Sequence, residues 1–164
     1  MRLREQTGGR IVFLDLSSGR PEEVLKEISS RLTPVCAGHS GADVDRQLLS
    51  WYTAGSPGVA RGVAIPHARC AGLSGSALCI ARSGAGIDFG GGHDRPVRLV
   101  AALLSPAGDH SRHLAVLARV VRILRKDAVV EKLLCAPGTE GMARVLEEED
   151  EAAANNDIPD PQQG

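Results

Sequence analysis

Strand-like and helix-like segments alternate along this chain, which predicts a single α/β domain: a mixed β-sheet flanked by helices on both faces. Two observations support that class. Residues 99–104 are wholly apolar, as in a strand covered on both sides. The chain has 164 residues with no internal repeat and no linker-like stretch, so one core of ordinary size suffices.

The elements follow in order. Residues 1–10 read as a flexible leader, and the domain proper spans 11–150. Ile11, Val12, Phe13 and Leu14 form a short strand. Pro21 sits near the first position of a helix whose first turn holds Glu22 and Glu23, both favourable to the helix dipole. Val24, Leu25, Ile28 and Leu32 share one face of that helix, and Pro34 ends it. After a loop over 36–42, Asp43 caps a second helix through about Tyr52, with Val44, Leu48 and Trp51 inward. Residues 53–62 are a glycine-rich loop leading to a short apolar segment at 63–65. Residues 77–81 form another strand, 84–92 a turn-rich stretch, and 97–104 the central strand. Pro106, Ala107, Gly108 and Asp109 set up a long helix to about Lys126, with Leu114, Leu117, Ala118, Val121 and Leu124 as its buried stripe. A short helix follows at 129–135. Pro137 and Gly138 break it, and Thr139 caps a last helix whose Glu140, Glu147, Glu148 and Glu149 face solvent. Residues 151–164 are rich in Asn, Asp, Pro and Gln and read as a disordered tail.

Composition narrows the function. With 19 basic and 20 acidic side chains the net charge is -1, so no global field draws the chain to nucleic acid or to an anionic membrane. Aromatic residues are 2% of the chain, too few for base-stacking platforms. No uncharged apolar run reaches membrane-spanning length, and residues 1–6 lack the apolar core of a secretory leader. Four cysteines at 36, 70, 79 and 135 show no CxxC spacing and read as reduced, small apolar side chains. A cytoplasmic protein that is not membrane-embedded is expected.

The chemistry concentrates at Gly62–Val63–Ala64–Ile65–Pro66–His67–Ala68–Arg69. Pro66 stiffens the approach to His67. A neutral imidazole is a competent nucleophile toward phosphorus if one ring nitrogen is bare and a backbone carbonyl holds the proton on the other. Phosphoryl transfer then needs mainly positioning and charge neutralisation, for which Arg69 and Arg61 are the nearby candidates. A second imidazole is available in Asp109–His110–Ser111–Arg112–His113, where His110 and His113 can share a helix face. His113 is the candidate. His110 reads as solvent-facing, and His39 and His93 as surface residues. Gly90, Gly91 and Gly92 are not followed by the lysine of a nucleotide loop. No metal-ligand spacing such as HExxH occurs, so no metal and no cofactor is expected.

These motifs resemble those of the enzyme IIA domain of the bacterial phosphoenolpyruvate-dependent sugar phosphotransferase system, in its fructose, mannitol and nitrogen-regulatory branch. The resemblance covers roughly residues 11–149. The octapeptide around His67 is similar to the family's phosphorylation motif. His113–Leu114–Ala115–Val116–Leu117–Ala118 matches the segment carrying its second histidine, and Asp88–Phe89 with Pro96–Val97 matches the pattern before the central strand. Two stretches depart. Gly55–Ser56–Pro57–Gly58–Val59–Ala60–Arg61–Gly62 stands where the family usually reads Gly-Ser-Thr-Gly-Ile-Gly-Asn-Gly. Ser50, Trp51, Tyr52 and Thr53 occupy the place of an Arg-Glu pair.

The resemblance implies a phosphoryl carrier. His67 accepts phosphate on Nε2 from a histidine phosphocarrier protein. His113 donates a hydrogen bond to the phosphoryl oxygens, with Arg69 or Arg61 adding charge. The group then passes to a transporter IIB domain for sugar uptake, or serves as a signal to a regulatory target protein. Without an attached transporter domain a stand-alone regulator is expected, and stand-alone sugar-specific carriers also exist in the family. The alternative from a different class is a regulatory protein-binding module on the same fold that docks through the His67 face without phosphorylation. A metal-dependent hydrolase is a weaker rival.

Overall fold

A computed structural model of the chain describes residues 1–36, 38–55, 59–90 and 95–156, with the side chains of Val59 and Ala60 left aside. Six strands form one mixed sheet, and helices pack on both of its faces. The strands are β1 (Ile11–Asp15), β2 (Val59–Ala60), β3 (Val63–Ala64), β4 (His67–Cys70), β5 (Ala77–Ile87) and β6 (Val97–Pro106). The helices are α1 (Leu3–Gln6), α2 (Pro21–Leu32), α3 (Gly41–Thr53), α4 (His110–Leu124), α5 (Asp127–Cys135) and α6 (Gly138–Asn156).

The sheet runs β1-β5-β6-β3-β2, with β4 also paired to β6. β5 and β6 are antiparallel, while β1 lies parallel to β5 and both β3 and β4 lie parallel to β6. From Leu99 to Leu104 every β6 side chain is fully buried, as its unbroken apolar run requires. Alternate side chains enter two cores. Val100, Ala102 and Leu104 pack with α2 and α3, where Val24, Leu25, Ile28 and Leu32 are fully buried. Leu99, Ala101 and Leu103 pack on the other side with Val116, Val120 and Ile123 of α4.

Pro66 divides β3 from β4. Lacking an N–H it cannot donate to the ladder, but its carbonyl accepts the Leu103 N–H at 2.8 Å, which keeps the chain on the β6 edge. His67 then pairs with Leu103 and Arg69 with Ser105. The β4 segment reads polar, apolar, polar, apolar. Ala68 and Cys70 turn into the α2/α3 core, so His67 and Arg69 face the side on which α4 lies.

Several elements differ from expectation. Residues 1–10, expected as a flexible leader, contain α1, which buries Leu3 at 1% exposure, and the Leu3 N–H donates to Asp150 Oδ2 at 2.7 Å. A single apolar residue on a four-residue helix leaves no periodic trace. α6 runs to Asn156, so residues 151–156 of the expected tail are helical, while 157–164 lie outside the described residues. Thr139 lies inside the first turn of α6 and does not cap it. α3 begins at Gly41 and is capped by Ser40, whose hydroxyl oxygen accepts the Asp43 N–H at 3.2 Å. β5 continues through Gly84, Ala85 and Gly86 in place of a turn, with an irregular register between Arg82 and Ile87. The expected glycine-rich loop lies partly outside the described residues at 56–58, as do Gly91, Gly92 and His93.

The stripe on α4 is rotated. The buried residues are His113, Val116, Arg119, Val120, Ile123 and Leu124, whereas Leu114 is 50% exposed and Ala118 is also exposed. The cause is Arg119, which is buried because Asp150 of α6 meets it: its Nε donates to Asp150 Oδ1 at 2.5 Å and Nη2 to the Asp150 carbonyl at 2.7 Å.

Arg61 and Gly62 form the two-residue turn between β2 and β3, both with positive φ (54° and 77°), the pattern of a type I′ turn. An arginine is strained there. Arg61→Asn is expected to stabilise the fold by about 0.5–1 kcal/mol, measured by urea denaturation.

Candidate functional site

The site forms where the edge strand β4 meets the first turn of α4. Asp109 precedes that helix, and its Oδ1 accepts the Arg112 N–H at 3.1 Å, which fixes where α4 begins. His110 is then the first helical residue and His113 lies one turn on. The His113 ring stands 5.9 Å from the His67 ring, centroid to centroid, with the planes 41° apart.

His67 is half-buried. Its Nδ1–H donates to the Ile65 carbonyl at 2.6 Å. A carbonyl can only accept, so the proton of the neutral ring belongs on Nδ1 and the lone pair on Nε2. Pro66 holds the two residues in that relation by restricting φ between them. The backbone thus selects the tautomer without any other side chain.

His113 is 6% exposed, and its buried Nδ1 has no hydrogen-bond partner among the described residues. Burial holds its pKa below the ordinary 6.5, and His67, Arg69 and His110 push it the same way. A lowered folded value means that the unfolded chain takes up the proton first. Stability is therefore lost as pH falls through 6.5 toward the lowered value, and the effect is absent above 6.5. His113→Gln is expected to flatten this acid limb when urea midpoints are compared between about pH 5 and 7.5.

Arg69 and His110 are exposed and bonded to each other: Arg69 Nη1–H donates to His110 Nδ1 at 3.0 Å. The structure thus brings His67, His113 and Arg69 together and adds His110, which the sequence placed in solvent. It does not bring Arg61 to them. Val63 and His67 pair with Leu99 and Leu103, four steps or about 13 Å apart along β6, and Arg61 lies beyond Val63. Arg61 also makes no hydrogen bond or ion pair with a described residue.

Trp51 is 5% exposed and meets the Phe89 ring edge-on at 5.9 Å, and Tyr52 does the same. The stretch that departs from the family pattern is therefore aromatic packing. Cys36, Cys70 and Cys79 are buried free thiols, with Cys36 pushed up to about 11 by burial and Cys79 to about 12. Cys135, also free, is exposed. Among the described residues no group of three or more His, Cys, Asp or Glu side chains is placed to hold a metal. A cavity of about 370 Å³ between α1, β1 and α6 contains none of these residues. No helix among the described residues is long and apolar enough to cross a membrane.

The family model described as "Phosphoenolpyruvate-dependent sugar phosphotransferase system, EIIA 2" matches residues 8–149. The chain belongs to that family. Among EIIA relatives, a nitrogen regulatory protein of Bradyrhizobium diazoefficiens is 32% identical over 125 residues, covering 76% of this chain and 81% of that one. A fructose-specific EIIA component of Haloferax volcanii is 38% identical over 91 residues, 56% of this chain and 59% of that one. The fructose-specific EIIABC component of Bacillus subtilis is 24% identical over 150 residues, 92% of this chain and 24% of that one. The chain thus spans about a quarter of the Bacillus protein and 59% of the Haloferax one. In structure, this EIIA domain is similar to nitrogen regulatory protein IIA-Ntr from Neisseria meningitidis, with a TM-score of 0.75 and 28% identity over 84% of this chain and 92% of that one.

Proposed function

We propose that this EIIA domain is a phosphoryl carrier whose acceptor atom is His67 Nε2. The hydrogen bond from His67 Nδ1–H to the Ile65 carbonyl carries the reading, because it leaves Nε2 as the nucleophile. A phosphohistidine carrier protein docks over β4 and α4. The Nε2 lone pair forms a bond to phosphorus while the P–N bond on the donor breaks, and the donor ring takes back the electron pair. The His67 ring keeps its Nδ1 proton and gains positive charge, which the Ile65 carbonyl stabilises. The three phosphoryl oxygens come to lie near Arg69 and His113, both donors. The new dianion favours a proton on His113, which burial and the Arg69 guanidinium disfavour in the free protein.

The onward acceptor is either a cysteine of a transporter IIB domain or a regulatory target. The relatives include fructose-specific components and nitrogen regulatory proteins, and both destinations fit a surface site. Incubation with phosphoenolpyruvate, the first enzyme of the system and the phosphocarrier from the same organism is expected to add the mass of one acid-labile phosphoryl group. No mass gain, with the donors active on another EIIA protein, overturns the reading.

A second reading is favoured by one observation, the packing of Trp51 and Tyr52 on Phe89 where the family pattern has a charged pair. It is a docking module that uses the same face without transfer. Retained target binding by a chain that active donors do not phosphorylate selects it.

A further inference from the structure

We infer that His110 is a positioning residue for phosphoryl transfer, acting through Arg69. The inference rests on the reading of His67 as the acceptor and assigns a role to a side chain outside the His67 and His113 pair.

β4 and α4 are joined twice across the site. His67 faces His113, and Arg69, two residues along the same face of β4, bonds His110, one turn before His113 on α4. A guanidinium only donates, so His110 Nδ1 must be the acceptor and its proton sits on Nε2. An exposed arginine without a partner samples many rotamers. The bond to a ring rooted on a capped helix restricts this one to the His67 side of the strand.

The chemistry of the partner matters more than its presence. Among the described residues no carboxylate pairs with Arg69. A carboxylate would neutralise the guanidinium and compete with the incoming phosphoryl group. A neutral imidazole holds it by one N–H and leaves its full charge and its remaining donors for the anion. The arrangement suits a site that must be ordered before an anion arrives. It requires His110 Nδ1 to stay bare.

The test compares phosphoryl uptake from the phosphocarrier by wild type, His110→Ala, His110→Asn, Arg69→Ala and the His110→Ala/Arg69→Ala double variant. Melting curves establish that each is folded, and His67→Ala is the blank. His110→Ala is expected to slow uptake about 10-fold and Arg69→Ala about 100-fold, the scale of one misplaced and one deleted charge-stabilising donor. The double variant is expected to be no slower than Arg69→Ala. His110→Asn, whose amide oxygen can take the place of Nδ1, is expected to recover most of the rate. A His110→Ala rate equal to wild type, a double variant slowed by the product of the two factors, or an Asn variant as slow as Ala overturns the inference while the His67 reading stands. A wild-type chain that takes no phosphoryl group from active donors overturns both.

Discussion

His67→Ala is expected to abolish phosphoryl uptake without unfolding the protein. The acceptor atom is lost, and neither other imidazole can replace it. His113 is 6% exposed and has its Nδ1 buried, and His110 spends its bare nitrogen on Arg69. The strand survives because β4 is held by its backbone: His67 pairs with Leu103, and the Pro66 carbonyl accepts the Leu103 N–H whatever side chain follows. His67→Gln sharpens the test. Its amide can reach a carbonyl but is no nucleophile, so it is expected to be equally inactive with a melting temperature nearer wild type. Uptake by either variant at more than about one-hundredth of the wild-type rate would move the acceptor elsewhere.

The second large effect concerns Asp150. Its carboxylate joins three helices: Oδ1 accepts from Arg119 of α4 and Oδ2 from the Leu3 N–H of α1, while Asp150 itself sits on α6. Both side chains of the ion pair are more than nine-tenths buried, at 8% and 7% exposure. Asp150→Ala leaves a guanidinium in the interior without its carboxylate, and the expected loss is about 3–5 kcal/mol. In a chain of this size that lowers the melting temperature by roughly 10 °C or more. Replacing the pair together, Arg119→Met with Asp150→Leu, is expected to recover much of the loss, because two apolar side chains need no solvation. Equal losses in the single and double variants would show that the ion pair is not the source. Because Arg119 lies on the helix that carries His113, the same pair also sets how α4 stands against the sheet, and Asp150→Ala is expected to slow uptake as well as to destabilise.

The sheet and the two histidines were legible because their signals are local. Residues 99–104 announce a doubly covered strand by composition alone, and Ile65, Pro66 and His67 contain in three residues the carbonyl, the restricted φ and the imidazole of the proposed acceptor. The stripe of α4 was not legible. Apolar residues occur almost all round it, so its orientation is decided by the polar ones, and Arg119 reads as an outward residue until Asp150, 31 positions later, is seen to pair with it. α1 was missed for the same reason: Leu3 is tied to that same distant carboxylate. The alternation His67, Ala68, Arg69, Cys70 did carry a strand signal, weak because it is four residues long. Arg61 and Arg69 looked equivalent in sequence, both close to His67. The register on β6 separates them, since Arg61 lies at a turn beyond Val63 and Arg69 stands two residues from His67 on the same face. His110 carried no signal of its own, because its partner is 41 residues away.

The most direct test is a phosphorus–nitrogen correlation spectrum of the chain labelled with nitrogen-15 and phosphorylated by the carrier. The expected result is one phosphohistidine, at His67, with phosphorus coupled to Nε2 and the proton still on Nδ1. Coupling to Nδ1, a phosphate on another residue, or no phosphohistidine beside donors that phosphorylate a control EIIA domain would contradict a site in which the Ile65 carbonyl selects the nucleophile.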